Sequence, residues 1–96
     1  MAKRGKIGQA RHDGKVQQRL NHYKDQGFSV KADLPDRAKP RKIGGRIPDI
    51  VAKKGKQLIV EEIETASTKN SDKDQQTRLR EGTKKLGGTF KIIIAK

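Results

Sequence analysis

Residues 46–64 read RIPDIVAKKGKQLIVEEIE, and this stretch decides the fold. It contains two β-rich segments, 46–52 and 57–64, that flank the short polar turn KKGK. The turn includes Gly55, which we expect to have a positive φ. Two apolar runs separated by a short glycine-containing turn are typical of a β-hairpin, so we predict one here.

Further elements are predicted on both sides of the hairpin. Val16, Leu20 and Tyr23 fall at i, i+4 and i+7, which places them on one stripe of a helix that Asp13 caps. Before the second helix, Ser71 and Asp74 match a capping box. The predicted elements are a helix over 13–26, a strand that begins at 28–30, hairpin strands over 46–52 and 57–64, a helix over 72–86 and a strand over 89–95.

The order of these elements is α-β-β-β-α-β. It predicts an α/β fold in a single domain, with a mixed central sheet flanked by helices. The last segment, 89–95, is a continuous apolar run and is expected to be a strand covered on both faces. Residues 1–11 are basic and have little to bury, so they are expected to form a flexible arm that precedes a domain at 12–96.

The composition points to a polyanionic partner. Lys and Arg number 24 against 11 Asp and Glu among 96 residues, for a net charge of +13. A compact domain with this imbalance repels itself unless a polyanion neutralises it, which favours nucleic acid as the partner. No apolar run approaches the length of a membrane span, and there is no cysteine, so we expect a soluble, cytoplasmic protein that does not bind membranes.

Basic residues concentrate in the arm and in the loop between the first strand and the hairpin. Between positions 31 and 56, nine Lys and Arg stand against three Asp. This excess favours phosphate contacts over a merely solvated surface. The predicted nucleic-acid-binding residues are Lys3, Arg4, Lys6, Arg11, Arg37, Lys39, Arg41, Lys42 and Arg46. Aromatic residues make up only 3% of the chain, which argues against base stacking as the main mode of binding.

The hairpin also carries the candidate site. Its turn can bring Asp49 opposite Glu62, and strand alternation sends Glu62 and Glu64 to one face and Ile63 to the other, into the core. Three converging carboxylates repel each other unless one is protonated or a hard cation lies among them. The all-oxygen donor set fits Mg²⁺ or Mn²⁺. We expect the two histidines, His12 and His22, to face solvent or phosphates rather than a metal.

Together the segments GFSV, RIPDIVAKKGKQLIVEEIE and GGTFKIIIAK resemble the archaeal Holliday junction resolvases of the PD-(D/E)XK nuclease superfamily. The similarity covers residues 13–96 and includes the predicted order of elements. It implies a restriction-endonuclease-like fold in which Asp49 and Glu62 are metal ligands and the backbone carbonyl of Ile63 completes the site. The activity implied is metal-dependent hydrolysis of DNA.

The sequence departs from the family pattern at two places. Glu64 stands where the family has a lysine, which reverses the charge beside the reacting phosphate. The first helix also lacks the acidic residue of many relatives, unless Asp13 takes that role, with Gln17 as the nearest polar substitute. A lysine elsewhere in the chain can supply the missing cation, and the candidates are Lys42, Lys53, Lys69 and Lys73, of which the last two are favoured.

These observations leave more than one function open. The first is a DNA endonuclease of the junction-resolvase type that acts on double-stranded or branched DNA, expected as a homodimer because symmetric cuts require two sites. The second is a relative without catalytic activity that binds DNA through its basic surface. The third is a small basic RNA-binding protein, for which the pairing of Asp49 with Glu62 would be coincidental.

Overall fold

The computed structural model describes residues 6–35, 37–65, 68 and 72–95. Its elements follow the predicted order α-β-β-β-α-β. They are α1 (Lys6–Asp25), β1 (Ser29–Ala32), β2 (Ile50–Lys54), β3 (Gln57–Glu64), α2 (Lys73–Lys85) and β4 (Thr89–Ile94). The hairpin of β2 and β3 is present as predicted, with Gly55 at its turn at φ 60°.

The strands form one mixed sheet of four strands in the order β1-β2-β3-β4. The first three strands are antiparallel, and β4 pairs with β3 in parallel. The parallel pair follows from the chain path, because a parallel neighbour requires a crossover connection and α2 provides it. The hairpin register pairs Ile50 with Glu61, so Asp49 comes opposite Glu62 one step further along.

The two helices cover opposite faces of the sheet. Under α1, Val16, Leu20 and Tyr23 are buried against Ile59 and Ile63 of β3, as the helical spacing predicted. On the other face α2 buries its leucine in a smaller cluster that consists of Ile43, Val60 and Leu79. Alternation along β3 explains the division, since odd-numbered residues face α1 and even-numbered residues face α2.

A buried ion pair joins α1 to the central hairpin. Glu61 on β3 is 0% exposed, and its carboxylate receives hydrogen bonds from Arg19 Nε at 2.8 Å and Nη2 at 2.6 Å. Tyr23 Oη also donates to Glu61. The guanidinium therefore donates to both carboxylate oxygens. This bidentate geometry is the one in which ion pairs of Arg with carboxylates are strongest. Burial and the Glu61 carboxylate raise the pKa of Tyr23 to about 12, which keeps the hydroxyl a donor at neutral pH.

The first helix, α1, begins at Lys6 rather than near Asp13, so positions 6–11 of the predicted arm are helical, and the flexibility of the arm remains a prediction. The reason for the earlier start lies at His12, which is 4% exposed and continues the buried stripe one turn before Val16. Gln9 Nε2 donates to Asp13 Oδ1 at 2.8 Å, so Asp13 accepts a hydrogen bond within the helix instead of capping it. Residues 1–5 of the predicted arm lie outside the described residues.

Three further features differ from the predictions. The strand predicted over 46–52 begins only at Ile50, because Pro48 lacks the N–H that a strand pairing needs. The position before α2 is occupied by Asp72, without a side-chain cap, so Asp74 lies inside the first turn, and Ser71 falls outside the described residues. The last strand, β4, is an edge strand of the described sheet. Phe90 packs on the α2 side and Ile93 on the α1 side, but every residue of β4 is half-buried or exposed rather than fully buried.

Among residues 6–35, 37–65, 68 and 72–95, no helix has the length and apolar character that crossing a bilayer requires.

The ion pair between Arg19 and Glu61 generates a stability prediction. Arg19→Met leaves the Glu61 carboxylate buried and uncompensated, so we expect a loss of about 3 kcal/mol in the free energy of unfolding. Urea denaturation measures this loss. The matched control is Arg11→Met, which removes an exposed arginine from the same helix and should change stability little. The double variant Arg19→Met, Glu61→Met should recover much of the loss, and additive losses would contradict the coupling.

Candidate functional site

A cavity of about 580 Å³ lies where the ends of β2 and β3 meet α1, the basic loop and the start of α2. It brings together residues from five segments of the chain. The lining consists of Gln9, His12, Asp13, Asp33, Leu34, Pro35, Lys39, Lys42, Gly45, Arg46, Ile47, Asp49, Glu62, Asp72 and Gln75. Its carboxylates outnumber its cations, a charge balance that suits a bound cation.

Asp49 and Glu62 form the centre of this cavity. Asp49 is 7% exposed and Glu62 is 1% exposed, and their carboxyl groups lie close enough for each to shift the pKa of the other. The backbone N–H of Ile63 donates to Asp49 Oδ2 at 2.8 Å, and Gln75 Nε2 donates to Glu62 Oε2 at 2.5 Å. Each carboxylate is thus held in place by a separate element of the fold.

The two carboxyl groups differ in their affinity for protons. Burial, together with the hydrogen bond to Asp49 and the charge of that residue, raises the pKa of Glu62 to about 10. Burial also works against ionisation of Asp49, but hydrogen bonds from His12, Glu62 and the Ile63 N–H outweigh it and lower the pKa of Asp49. At neutral pH the pair therefore holds one proton, on Glu62, and one negative charge, on Asp49.

Glu64 lies on the same face of β3 as Glu62, and it is 0% exposed. Ile63 points to the opposite face and joins the core under α1, as predicted. The charge of Glu64 contributes to the raised pKa of Glu62, although less than Asp49 does. In the part of the chain that the structure describes, however, no group of three or more His, Cys, Asp or Glu side chains is arranged to hold a metal. The three carboxylates therefore do not form a ready-made cage.

The carboxylate pair nevertheless fits Mg²⁺ or Mn²⁺. Glu62 Oε1 is buried and receives no hydrogen bond from the described residues, so it has the capacity to bind a cation. Mg²⁺ commonly binds through one or two carboxylates and completes its shell with water and substrate phosphate. Asp49 and Glu62 would hold such an ion, and metal binding by these two residues, by Glu64 and by the Ile63 carbonyl remains a prediction.

His12 is placed differently from the sequence expectation. We expected both histidines to face solvent or phosphates, but His12 is buried, and its Nε2 lies 3.2 Å from Asp49 Oδ1. Its Nδ1 lies 3.1 Å from Asp13 Oδ1, so the imidazole bridges two carboxylates. His22 is exposed, as expected. Within α1, His12 therefore contacts Asp49, and Asp13 contacts His12.

Three cations line the cavity, and their partners differ. Lys39 Nζ lies 2.5 Å from Asp33 Oδ1, and Arg46 Nη2 lies 3.2 Å from Asp74 Oδ2. Lys42 forms no ion pair with the described residues and faces the same cavity as the carboxylate pair. Of the other lysines considered as a replacement cation, Lys53 and Lys73 are exposed and away from the cavity, and Lys69 lies outside the described residues.

The remaining predicted nucleic-acid-binding residues are spread over the surface. Arg37 and Arg41 are exposed on the basic loop, and Arg11 is exposed on α1, away from the cavity. Lys6 begins α1. Lys3 and Arg4 lie outside the described residues.

A tight turn fixes the basic loop against α2. Ile43 and Arg46 exchange backbone hydrogen bonds of 2.8 and 3.1 Å across Gly44 and Gly45, whose φ angles are 60° and 81°. Positive φ at both central residues defines a type I′ turn, which favours glycine. A Cβ atom on Gly44 would lie 2.2 Å from the carbonyl oxygen of Arg78, so the loop backbone touches the helix backbone. This contact holds Lys42 and Arg46 at the cavity wall.

Two site residues, His12 and Gln75, were missed in the sequence. His12 stands four positions before Val16 and eight before Leu20, so the buried stripe of α1 includes it, and this spacing was a usable signal. Gln75 offered no comparable signal, because it lies among polar residues in the first turns of α2 and nothing in its spacing marks it.

Comparisons with known proteins do not assign the chain to a family. The chain matches no protein-family model, and a search of curated proteins found no match.

The raised pKa of Glu62 predicts a pH-dependent stability. An unfolded chain ionises Glu62 above its ordinary pKa of 4.5, whereas the folded chain keeps the proton until about pH 10. Stability is thus lost as pH rises between these values. Glu62→Gln has no proton to lose, so in EDTA we expect its stability relative to wild type to be greater at pH 8 than at pH 5.

Urea denaturation at the two pH values measures this difference. Glu81→Gln is the matched control, because it makes the same change at an exposed position of α2. If Glu62→Gln and Glu81→Gln respond to pH in the same way, the carboxyl pair does not share a proton.

Proposed function

We propose that this protein is a metal-dependent DNA endonuclease with a restriction-endonuclease-like fold, of the Holliday-junction-resolvase type. The observation that carries the proposal is the meeting of Asp49 and Glu62 in one cavity that Lys39, Lys42 and Arg46 also line. A carboxylate pair can bind a divalent cation, and basic side chains of the same cavity can attract the phosphodiester backbone. The net charge of +13 supports a polyanionic substrate.

Different residues of the chain would have different roles in such a reaction. Asp49 and Glu62 would hold Mg²⁺ or Mn²⁺, while Gln75 and the Ile63 N–H keep the two carboxylates in position. When bound, the cation supplies Lewis-acid polarisation of the phosphate and stabilises the charge of the leaving oxygen. Lys42, which lines the same cavity, would supply positive charge near the phosphate. Paired cuts on a branched substrate would require a second copy of the chain.

A second candidate function is DNA binding without cleavage. Its support is Glu64, which is fully buried on the face of β3 where the family has its lysine. A carboxylate at this place opposes the negative charge that develops on the reacting phosphate. The two functions share the basic surface and differ only in the chemistry at Asp49 and Glu62.

Metal binding and cleavage test the proposal together. We expect millimolar Mn²⁺ or Mg²⁺ to raise the melting temperature, because the cation binds the folded state in preference to the unfolded chain. We also expect cleavage of four-way-junction or duplex DNA that stops in EDTA. Asp49→Asn should abolish both effects, whereas Asp25→Asn, an exposed acid of α1, should preserve them.

The outcomes separate the two functions. A metal-dependent rise in melting temperature without cleavage favours the binding function, and Glu64→Lys then tests whether the family's cation restores activity. The metal-site proposal is wrong if metal leaves the melting temperature unchanged and DNA is not cleaved, both for the wild type and for Glu64→Lys.

Lys42 is the cation that we expect to replace the family's lysine. Lys42→Met should lower kcat roughly 100-fold, since it removes positive charge from beside the reacting phosphate. Lys73→Met and Lys53→Met remove exposed lysines that lie off the cavity and serve as matched controls. Single-turnover cleavage kinetics provide the measurement. A larger effect from Lys73→Met than from Lys42→Met would contradict this role.

A further inference from the structure

A second basic groove runs alongside the candidate site, between the basic loop and the C-terminal half of α2. It encloses about 370 Å³. Its lining consists of Arg41, Lys42, Ile43, Gly44, Arg78, Glu81, Gly82, Lys85 and Leu86. Four of these residues are cations and one is an acid, and the groove lies outside the carboxylate cavity described above.

The floor of the groove is a close contact between α2 and the basic loop. A Cβ atom on Gly82 would lie 2.7 Å from the backbone nitrogen of Gly44 and 2.7 Å from the Ile43 side chain, so helix and loop are tightly packed here. The walls are long basic side chains, with Arg41 and Lys42 on the loop side and Arg78 and Lys85 on the helix side. A fixed floor between two cationic walls suits a narrow, negatively charged chain.

The groove and the carboxylate cavity share Lys42, which lines both. A polyanion that occupies the cavity can therefore continue past Lys42 into the groove without leaving positively charged surface. Arg41 and Lys85, on opposite walls, form no ion pairs with the described residues, so both are available to a ligand. Leu86, at 45% exposure, gives the groove an apolar end that suits the sugar edge of a nucleotide.

We infer that this groove binds the phosphodiester backbone of the same nucleic acid, on the stretch that extends beyond the reacting phosphate. The inference rests on the proposed function, because it takes nucleic acid as the ligand of the cavity. It adds a second contact region that includes Arg78 and Lys85, which sequence reasoning did not single out. Arginine favours phosphate as the ligand, since its planar fork matches phosphate oxygens.

A charge-matched pair of variants tests the inference. The double variant Arg41→Gln, Lys85→Gln removes one cation from each wall of the groove. Lys24→Gln, Lys84→Gln removes the same charge from exposed positions that do not line it, and Lys84 is the immediate neighbour of Lys85. Fluorescence anisotropy with a 20-base-pair DNA duplex in EDTA, over a range of salt concentrations, measures binding without cleavage.

The groove variant should bind more weakly than the control variant at every salt concentration. It should also reduce the slope of log K against log salt by about 1.8, since each lost phosphate contact removes about 0.9. The control variant should keep the wild-type slope. Equal losses in the two variants, or an unchanged slope in the groove variant, would overturn the groove inference while leaving DNA binding intact.

Two further outcomes complete the test. If the wild type does not bind DNA at all, the proposed function fails and the groove inference fails with it. If a polyglutamate peptide binds with the same dependence on Arg41 and Lys85, the groove recognises acidic peptides, and its assignment to phosphate is wrong. The single variant Arg41→Gln lies on the exposed loop and keeps the experiment decisive if the double variant does not fold.

Discussion

The bidentate pair between Arg19 and Glu61 is the interaction on which the arrangement of the site depends. It holds Glu61 on the α1 side of β3, and because side chains alternate along a strand, Glu62 must then face the other side. The same pair seats α1 on the sheet, which brings His12 within 3.2 Å of Asp49. The consecutive acids Glu61 and Glu62 thus lie in different places: Glu61 is in the core under α1, and Glu62 lines the cavity.

Much of the fold could be predicted because its signals are local. Gly55 marks the hairpin turn, and the distance of Asp49 and Glu62 from that turn determines that they come opposite each other. The helical stripe of α1 is equally local. The edge position of β4 could not be predicted in this way, because a run of isoleucines is the same whether a strand has one neighbour or two.

The candidate site was less predictable than the fold, since it depends on which distant segments meet. All lysines of the chain carry the same charge, and no spacing distinguishes Lys42 from Lys73. The difference arises from the turn at Gly44 and Gly45, which presses the loop against α2 and leaves Lys42 on the cavity wall. A polar residue such as His12 is ordinarily assigned to the surface; its spacing before Val16 indicates burial, but its contact with Asp49 could not be predicted from that spacing.

The open edge of β4 has a consequence for handling the protein. An edge strand of the sequence TFKIII, paired on one side only among the described residues, is a template for strand addition by another chain, and Lys91, exposed within it, acts as a gatekeeper against such pairing. Lys91 works by repulsion, as does the net charge of +13. Concentrated salt, the usual means of stripping nucleic acid from a basic protein, also screens this repulsion. Purification in high salt therefore weakens this protection against aggregation.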